Sequence, residues 1–98
     1  MNLYPREVEE LLYKHPAVAD VAVVGDTDKI HGEIPIAVIK LKEGMKADEN
    51  EIKKYCKDHI ANFKVPHRVE FWSELPRNAT GKVLKKEIKK KLGTVQSN

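Results

Sequence analysis

The chain has 98 residues, with 18 basic and 15 acidic side chains and a pI near 9.0. That length supports one small domain, which buries about two-thirds of its unfolded surface and has no room for a large enclosed active site. A single cysteine, Cys56, excludes a disulfide framework. No apolar run approaches the ~20 residues of a membrane-spanning helix. The N-terminus carries no secretory pattern, so the cytoplasm is the expected compartment.

Pro5 suits the first helical position, where a missing N–H costs nothing. Glu7, Glu9 and Glu10 follow and favour the positive end of the helix dipole. Val8, Leu11 and Leu12 form an apolar stripe at i, i+3, i+4. The helix is predicted to stop near His15, because the residue before Pro16 is pushed out of the α region. Residues 18–24 are rich in β-branched side chains and predict a buried strand closed by Gly25. The polar run Asp26-Thr27-Asp28-Lys29 predicts a loop, and residues 34–41 a second strand whose direction is left open. Asp26 and Asp28 are too few for a calcium loop.

A turn around Gly44 leads to Asp48, which with Glu51 forms an acidic capping box. Ile52, Tyr55, Cys56, His59 and Ile60 then repeat with helical period, which places Cys56 and His59 on the buried stripe as structural residues and not as a metal pair. Residues 68–72 predict a third strand with Val69 and Phe71 on one face. Leu84, Ile88 and Leu92, spaced by four, lay a narrow seam along a last helix. Gly93 is expected to cap it, with 94–98 a disordered tail. The fold expected is α+β: a three-stranded sheet packed by about three helices. Lys82, Lys85, Lys86, Lys89, Lys90 and Lys91 crowd the end of the chain. Without a helix-turn-helix, zinc ligands or an aromatic-rich RNA-binding strand they read as a solvated face, so no nucleic-acid partner is expected.

The segment PRNATGKVLKKEI, residues 76–88, carries the most information. A proline and a glycine bracket a short polar loop; Gly81 permits a positive φ, and Lys82 brings a point charge with three donors on a long stem. A lone Gly-Lys pair is usually a turn and a solvated lysine. The whole segment, however, closely resembles the last motif of the adenylate-forming enzymes: acyl-CoA synthetases, peptide-synthetase adenylation domains and beetle luciferases. Asn2-Leu3-Tyr4-Pro5-Arg6-Glu7-Val8-Glu9 resembles the tail of that family's hinge motif. His31-Gly32-Glu33-Ile34-Pro35-Ile36-Ala37-Val38 and Phe63-Lys64-Val65-Pro66 fall between them in family order. The resemblance covers residues 2 to about 92 and is most like a fatty-acid–CoA ligase.

The resemblance implies a C-terminal lid domain, residues 1–93, of a larger AMP-forming acid–CoA ligase: carboxylate, ATP and CoA give acyl-CoA, AMP and pyrophosphate. Its partner would be a large N-terminal domain that holds ATP, Mg²⁺ and the acid, so the chain alone should be inactive. Lys82 would be the adenylation lysine, delivered by a flexible loop that Thr80 and Gly81 position. Phe63, Lys64 and Lys57 would contribute to a CoA-binding face, with Phe63 either stacking on adenine or serving as a core aromatic. Val65 and His67 depart from relatives that carry Arg or Lys there. No metal ligands are expected. Two other readings stand beside this one: a lid serving a carrier-protein thiol, and a free-standing non-catalytic binding module of the same fold.

Overall fold

The computed structural model describes residues 4–30 and 32–96; Asn2 and Leu3 of the hinge-like segment, His31, and residues 97–98 of the expected tail lie outside them. Helix α1 (Pro5–Tyr13) has its proline in the first turn, as the missing N–H requires. Strands β1 (Val18–Asp28) and β2 (Gly32–Leu41) form an antiparallel ribbon. Helix α2 (Glu49–Lys57) and a 3₁₀ turn (Asn62–Lys64) carry the chain to β3 (Arg68–Phe71), which pairs with β2 in parallel. Helix α3 (Lys85–Gln96) ends the described chain. The sheet order is β1-β2-β3, so the expected α+β architecture holds.

The sheet has an apolar layer on each face. On one, α1 and α2 bring Val8, Leu12, Ile52 and Cys56 against Val18, Val21, Val23, Ala37, Ile39 and Val69. On the other, α3 seats Ile88 and Leu92 on Ala22, Val24, Ile34, Ile36 and Val38, joined by Leu75. Each such fully buried aliphatic side chain contributes about 1.5–3 kcal/mol. Side chains alternate along a strand, yet Val18 and Val21 share a face. A register shift between Val18 and Asp20 resolves this: one extra residue in β1 makes a bulge and turns Asp20 toward the α3 side.

Each outer strand has a backbone amide engaged by a helix carboxylate. Glu9 of α1 accepts from Val23 N–H of β1 at 2.8 Å, and Glu49 of α2 accepts from Val69 N–H of β3 at 2.9 Å. Unpaired edge amides otherwise invite another chain to pair with them. Asp48 caps α2 as expected, accepting from Glu51 N–H at 2.8 Å.

Three local expectations need correction, and one holds. The first strand does not close at Gly25 but runs to Asp28, opposite Gly32, so most of the polar loop is ribbon. Thr27 and Glu33 are exposed there; a two-stranded tip with ladder bonds has no need of an apolar face. His59 is exposed and not on the buried stripe, because α2 ends at Lys57 and the following turn breaks its period; its ring instead bonds the Tyr55 carbonyl at 2.7 Å. Val69 and Phe71 share one face of β3 as expected, with Val69 buried and Phe71, at the strand end, 37% exposed. Gly93 does not cap α3, which continues to Gln96.

Candidate functional site

Lys82 lies in a tight hairpin between β3 and α3. Leu75 and Val83 anchor the hairpin's base to the α3-side core, Arg77 and Val83 pair as an antiparallel bridge, and Leu84 N–H donates to the Pro76 carbonyl at 2.9 Å. At its tip Gly81 N–H donates to the Asn78 carbonyl at 3.0 Å and Asn78 N–H to the Lys82 carbonyl at 2.9 Å. This is a three-residue hairpin loop, a type I turn closed by a left-handed residue. Gly81 supplies that residue with φ 88°, and a Cβ there would meet nothing within 4 Å, so backbone conformation and not space demands glycine.

The side chain of Asn78 fills the turn. Its Oδ1 accepts from Thr80 N–H at 3.0 Å, from the Thr80 hydroxyl at 2.7 Å and from Lys82 N–H at 3.0 Å. Thr80 and Gly81 are therefore framework residues of the turn. The Asn78 side chain and the Arg77 guanidinium thus hold the backbone of the loop on both sides of Gly81. By contrast, the Lys82 side chain is exposed, and its ammonium has no hydrogen bond or ion pair among the described residues. The depression it borders, about 560 Å³, is lined by the consecutive residues Lys82, Val83, Leu84, Lys85, Lys86 and Glu87. One continuous segment cannot enclose a ligand, so whatever meets the ammonium needs walls from elsewhere.

The tip is tied to the body by Arg77. Its Nη1 donates to the Gly81 carbonyl and its Nη2 to Asp20 Oδ2. Asp20, the residue turned by the β1 bulge, is 9% exposed. Its Oδ1 accepts from the Tyr13 hydroxyl at 2.6 Å and from Val21 N–H at 3.0 Å. Burial alone would raise the Asp20 pKa, but the Tyr13 and Arg77 hydrogen bonds and the Arg77 charge outweigh it and hold the carboxyl below its ordinary range. Burial, and then the neighbouring carboxylate, push the Tyr13 phenol up. Asn78 could have been found from its spacing to Gly81. Asp20 and Tyr13 carry no local signal, since 57 residues separate Asp20 from Arg77.

Phe63 and Lys64 lie on the α1/α2 side, where the neighbouring Val65 joins that core layer. Phe63 is 66% exposed, which removes the core-aromatic reading, and meets Tyr4 edge-on at 5.7 Å. The Lys64 ammonium is engaged: it is 2.8 Å from Glu7 and lies 4.8 Å from the Tyr4 ring centre. Lys57 is exposed in the last turn of α2, with no ion pair among the described residues. The structure thus joins Phe63 to Lys64 and sets both on the face opposite the Lys82 hairpin. No group of three or more His, Cys, Asp or Glu side chains placed to hold a metal occurs among the described residues.

Residues 7–82 match the AMP-binding enzyme C-terminal domain family. Over 90 residues the chain is 49% identical to YngI of Bacillus subtilis (strain 168), which bears an acyl-CoA synthetase name; the match covers 92% of this chain and 16% of that protein. It is 44% identical over 87 residues to a long-chain-fatty-acid–CoA ligase of the same organism, covering 89% of this chain and 16% of the ligase. Among solved structures, a Mycobacterium tuberculosis fatty acyl CoA synthetase superposes with a TM-score of 0.90 at 35% identity, over 97% of this chain and 19% of that one. The chain thus spans under a fifth of the length of these relatives. On this evidence it belongs to the AMP-binding enzyme C-terminal domain family.

Proposed function

We propose that the chain is the mobile C-terminal domain of an ATP-dependent acid–CoA ligase, and that Lys82 is its adenylation lysine. The observation that carries this reading is a free ammonium group on a hydrogen-bonded hairpin tip. ATP with Mg²⁺ and the carboxylic acid would be bound mainly by a large N-terminal domain of the same protein. The short span of the chain against its relatives supports that division.

In the first half-reaction a carboxylate oxygen attacks the α-phosphorus of ATP and pyrophosphate leaves, giving an acyl-adenylate. Negative charge gathers between the attacking carboxylate and the phosphate oxygens. A cation placed there in advance lowers the barrier because it needs no reorganisation at the moment of reaction. Lys82 supplies that charge. With the hairpin tied to the body through Arg77, delivery and withdrawal of the ammonium are assigned to motion of the whole domain.

In the second half-reaction the CoA thiol attacks the acyl carbonyl and AMP leaves. The α1/α2 face then serves CoA: Phe63 offers a largely exposed ring for adenine and Lys57 a cation for phosphate. Lys64, already engaged by Glu7 and Tyr4, braces the Phe63 corner. Two groups on opposite faces of one sheet fit a domain that turns between two half-reactions.

The test is Lys82→Ala in the full-length protein. Pyrophosphate release from ATP and acid should fall about 10²–10³-fold, while pre-formed acyl-adenylate should still be converted to thioester. Equal loss in both steps would contradict the role. The isolated 98 residues should release no pyrophosphate; release would contradict the division of labour.

A further inference from the structure

We propose that Arg77, held by Asp20 and Tyr13, is a positioning residue that aims the Lys82 ammonium for acyl-adenylate formation. This rests on the adenylation role of Lys82 proposed above and adds the groups that make it effective. The carbonyl that Arg77 Nη1 binds is that of Gly81, which belongs to the peptide plane leading into Lys82. Fixing that plane fixes the direction in which the Lys82 side chain leaves the backbone.

The other arm of the guanidinium reaches Asp20 on β1, and Tyr13 on α1 holds the second carboxylate oxygen. Tip, sheet and helix are thereby joined through one planar fork. Arginine suits this because its donors are fixed relative to one another; a lysine could reach Asp20 or Gly81 but not hold both in one geometry. Ion pairs such as Lys54 with Asp58 and Lys90 with Glu87 join exposed side chains one helical turn apart, and neither ends on a backbone carbonyl of the hairpin. The asymmetry of the hairpin points the same way. Its base is anchored by Leu75 in the core and Val83 packed against it, whereas its tip is tied to the body through Arg77.

The experiment uses the full-length ligase containing this chain, with Arg77→Met, Arg77→Lys, Asp20→Asn and Lys82→Ala, and Arg77→Met combined with Lys82→Ala. Three quantities are read: kcat and KM for pyrophosphate release, thioester formation from pre-formed acyl-adenylate, and exchange of the Lys82 amide hydrogen. Misplacement of a reacting group by about 1 Å costs about 10²-fold, so Arg77→Met should lower adenylation kcat by about 10- to 10²-fold with KM for ATP little changed. Arg77→Lys and Asp20→Asn should fall between it and the native protein. The Lys82 amide should exchange faster, thioester formation should persist, and in the Lys82→Ala background Arg77→Met should cause no further loss.

Unchanged adenylation in Arg77→Met, equal loss of both half-reactions, or an undiminished extra loss on top of Lys82→Ala would each overturn the proposal. Should Arg77→Met fail to fold, Asp20→Asn decides on the same readouts. If Lys82→Ala itself spares adenylation, the reading of Lys82 fails first. If Lys82→Ala loses it and Arg77→Met does not, only the positioning role fails.

Discussion

The two faces of the sheet carry their exposed groups in opposite ways. On the α3 side, the exposed Lys82 cation stands on a hairpin backbone that the Asn78 side chain and Arg77 hold at Thr80, Gly81 and Lys82. On the α1/α2 side the nearby cation, Lys64, is engaged by Glu7 and lies over the Tyr4 and Phe63 rings, and it is the Phe63 ring that is mostly exposed. The first arrangement suits transient contact with concentrated negative charge, where aim matters. The second suits stacking, which tolerates small errors of angle. Under the function proposed above, each face would serve one half-reaction.

The largest expected effects test whether the faces are independently built. Ile88 of α3 and Ile52 of α2 are both fully buried, one in each layer. Replacing either with Ala should cost about 2–5 kcal/mol, read as a shift of the urea midpoint. Because the two lie on opposite sides of the sheet, their losses should add to within about 0.5 kcal/mol in the double variant. A strong departure from additivity would mean that the layers share more than the strands between them.

A smaller effect concerns the hairpin alone. Gly81→Ala forces a side chain into φ 88° and should cost about 1–2 kcal/mol, with Gly81→Asn milder because Asn tolerates that region better. Urea denaturation checks both. If Gly81→Ala proves neutral, the tip is looser than its hydrogen bonds indicate.

Two titrations sharpen the contrast further, one per face. The Asp20 carboxyl is held below its ordinary value of 3.8, so its contribution is complete above that value and disappears as the pH falls through the lower folded-state one. Asp20→Asn should flatten the acid limb of a stability–pH curve measured by thermal melting. Cys56, fully buried beside α1, has its thiol pushed up by burial from 9.0 to about 11. The folded state therefore keeps a proton that the unfolded state releases, and stability should decline between about pH 9 and 11. Cys56→Ala should remove that decline, and the native thiol should resist alkylation until the chain unfolds.

How much of this was legible in the sequence depends on how far apart the partners lie. Pro5 at a helix start, Asp48 with Glu51, and the Ile88–Leu92 spacing act within a turn or two, so the helices and the fold class could be read directly. The ribbon beyond Gly25 could not, because Thr27 and Asp28 are strand residues only by virtue of Glu33 and Gly32 opposite them. His59 was misplaced because a period says nothing about where a helix stops. Lys82 stands out through its motif, but the tie that holds its loop to the body depends on Arg77 meeting Asp20 across the fold. A bulge after Val18 turns Asp20 toward that side, and no local pattern announces it.

The most direct test of the two-faced account pairs Lys82→Ala with Phe63→Ala in the full-length protein and measures both half-reactions in each. Lys82→Ala should lose pyrophosphate release and keep thioester formation. Phe63→Ala should keep pyrophosphate release and weaken CoA use by about 1–3 kcal/mol, the scale of a lost base-stacking contact. Losses that fall on the same half-reaction in both variants would contradict it.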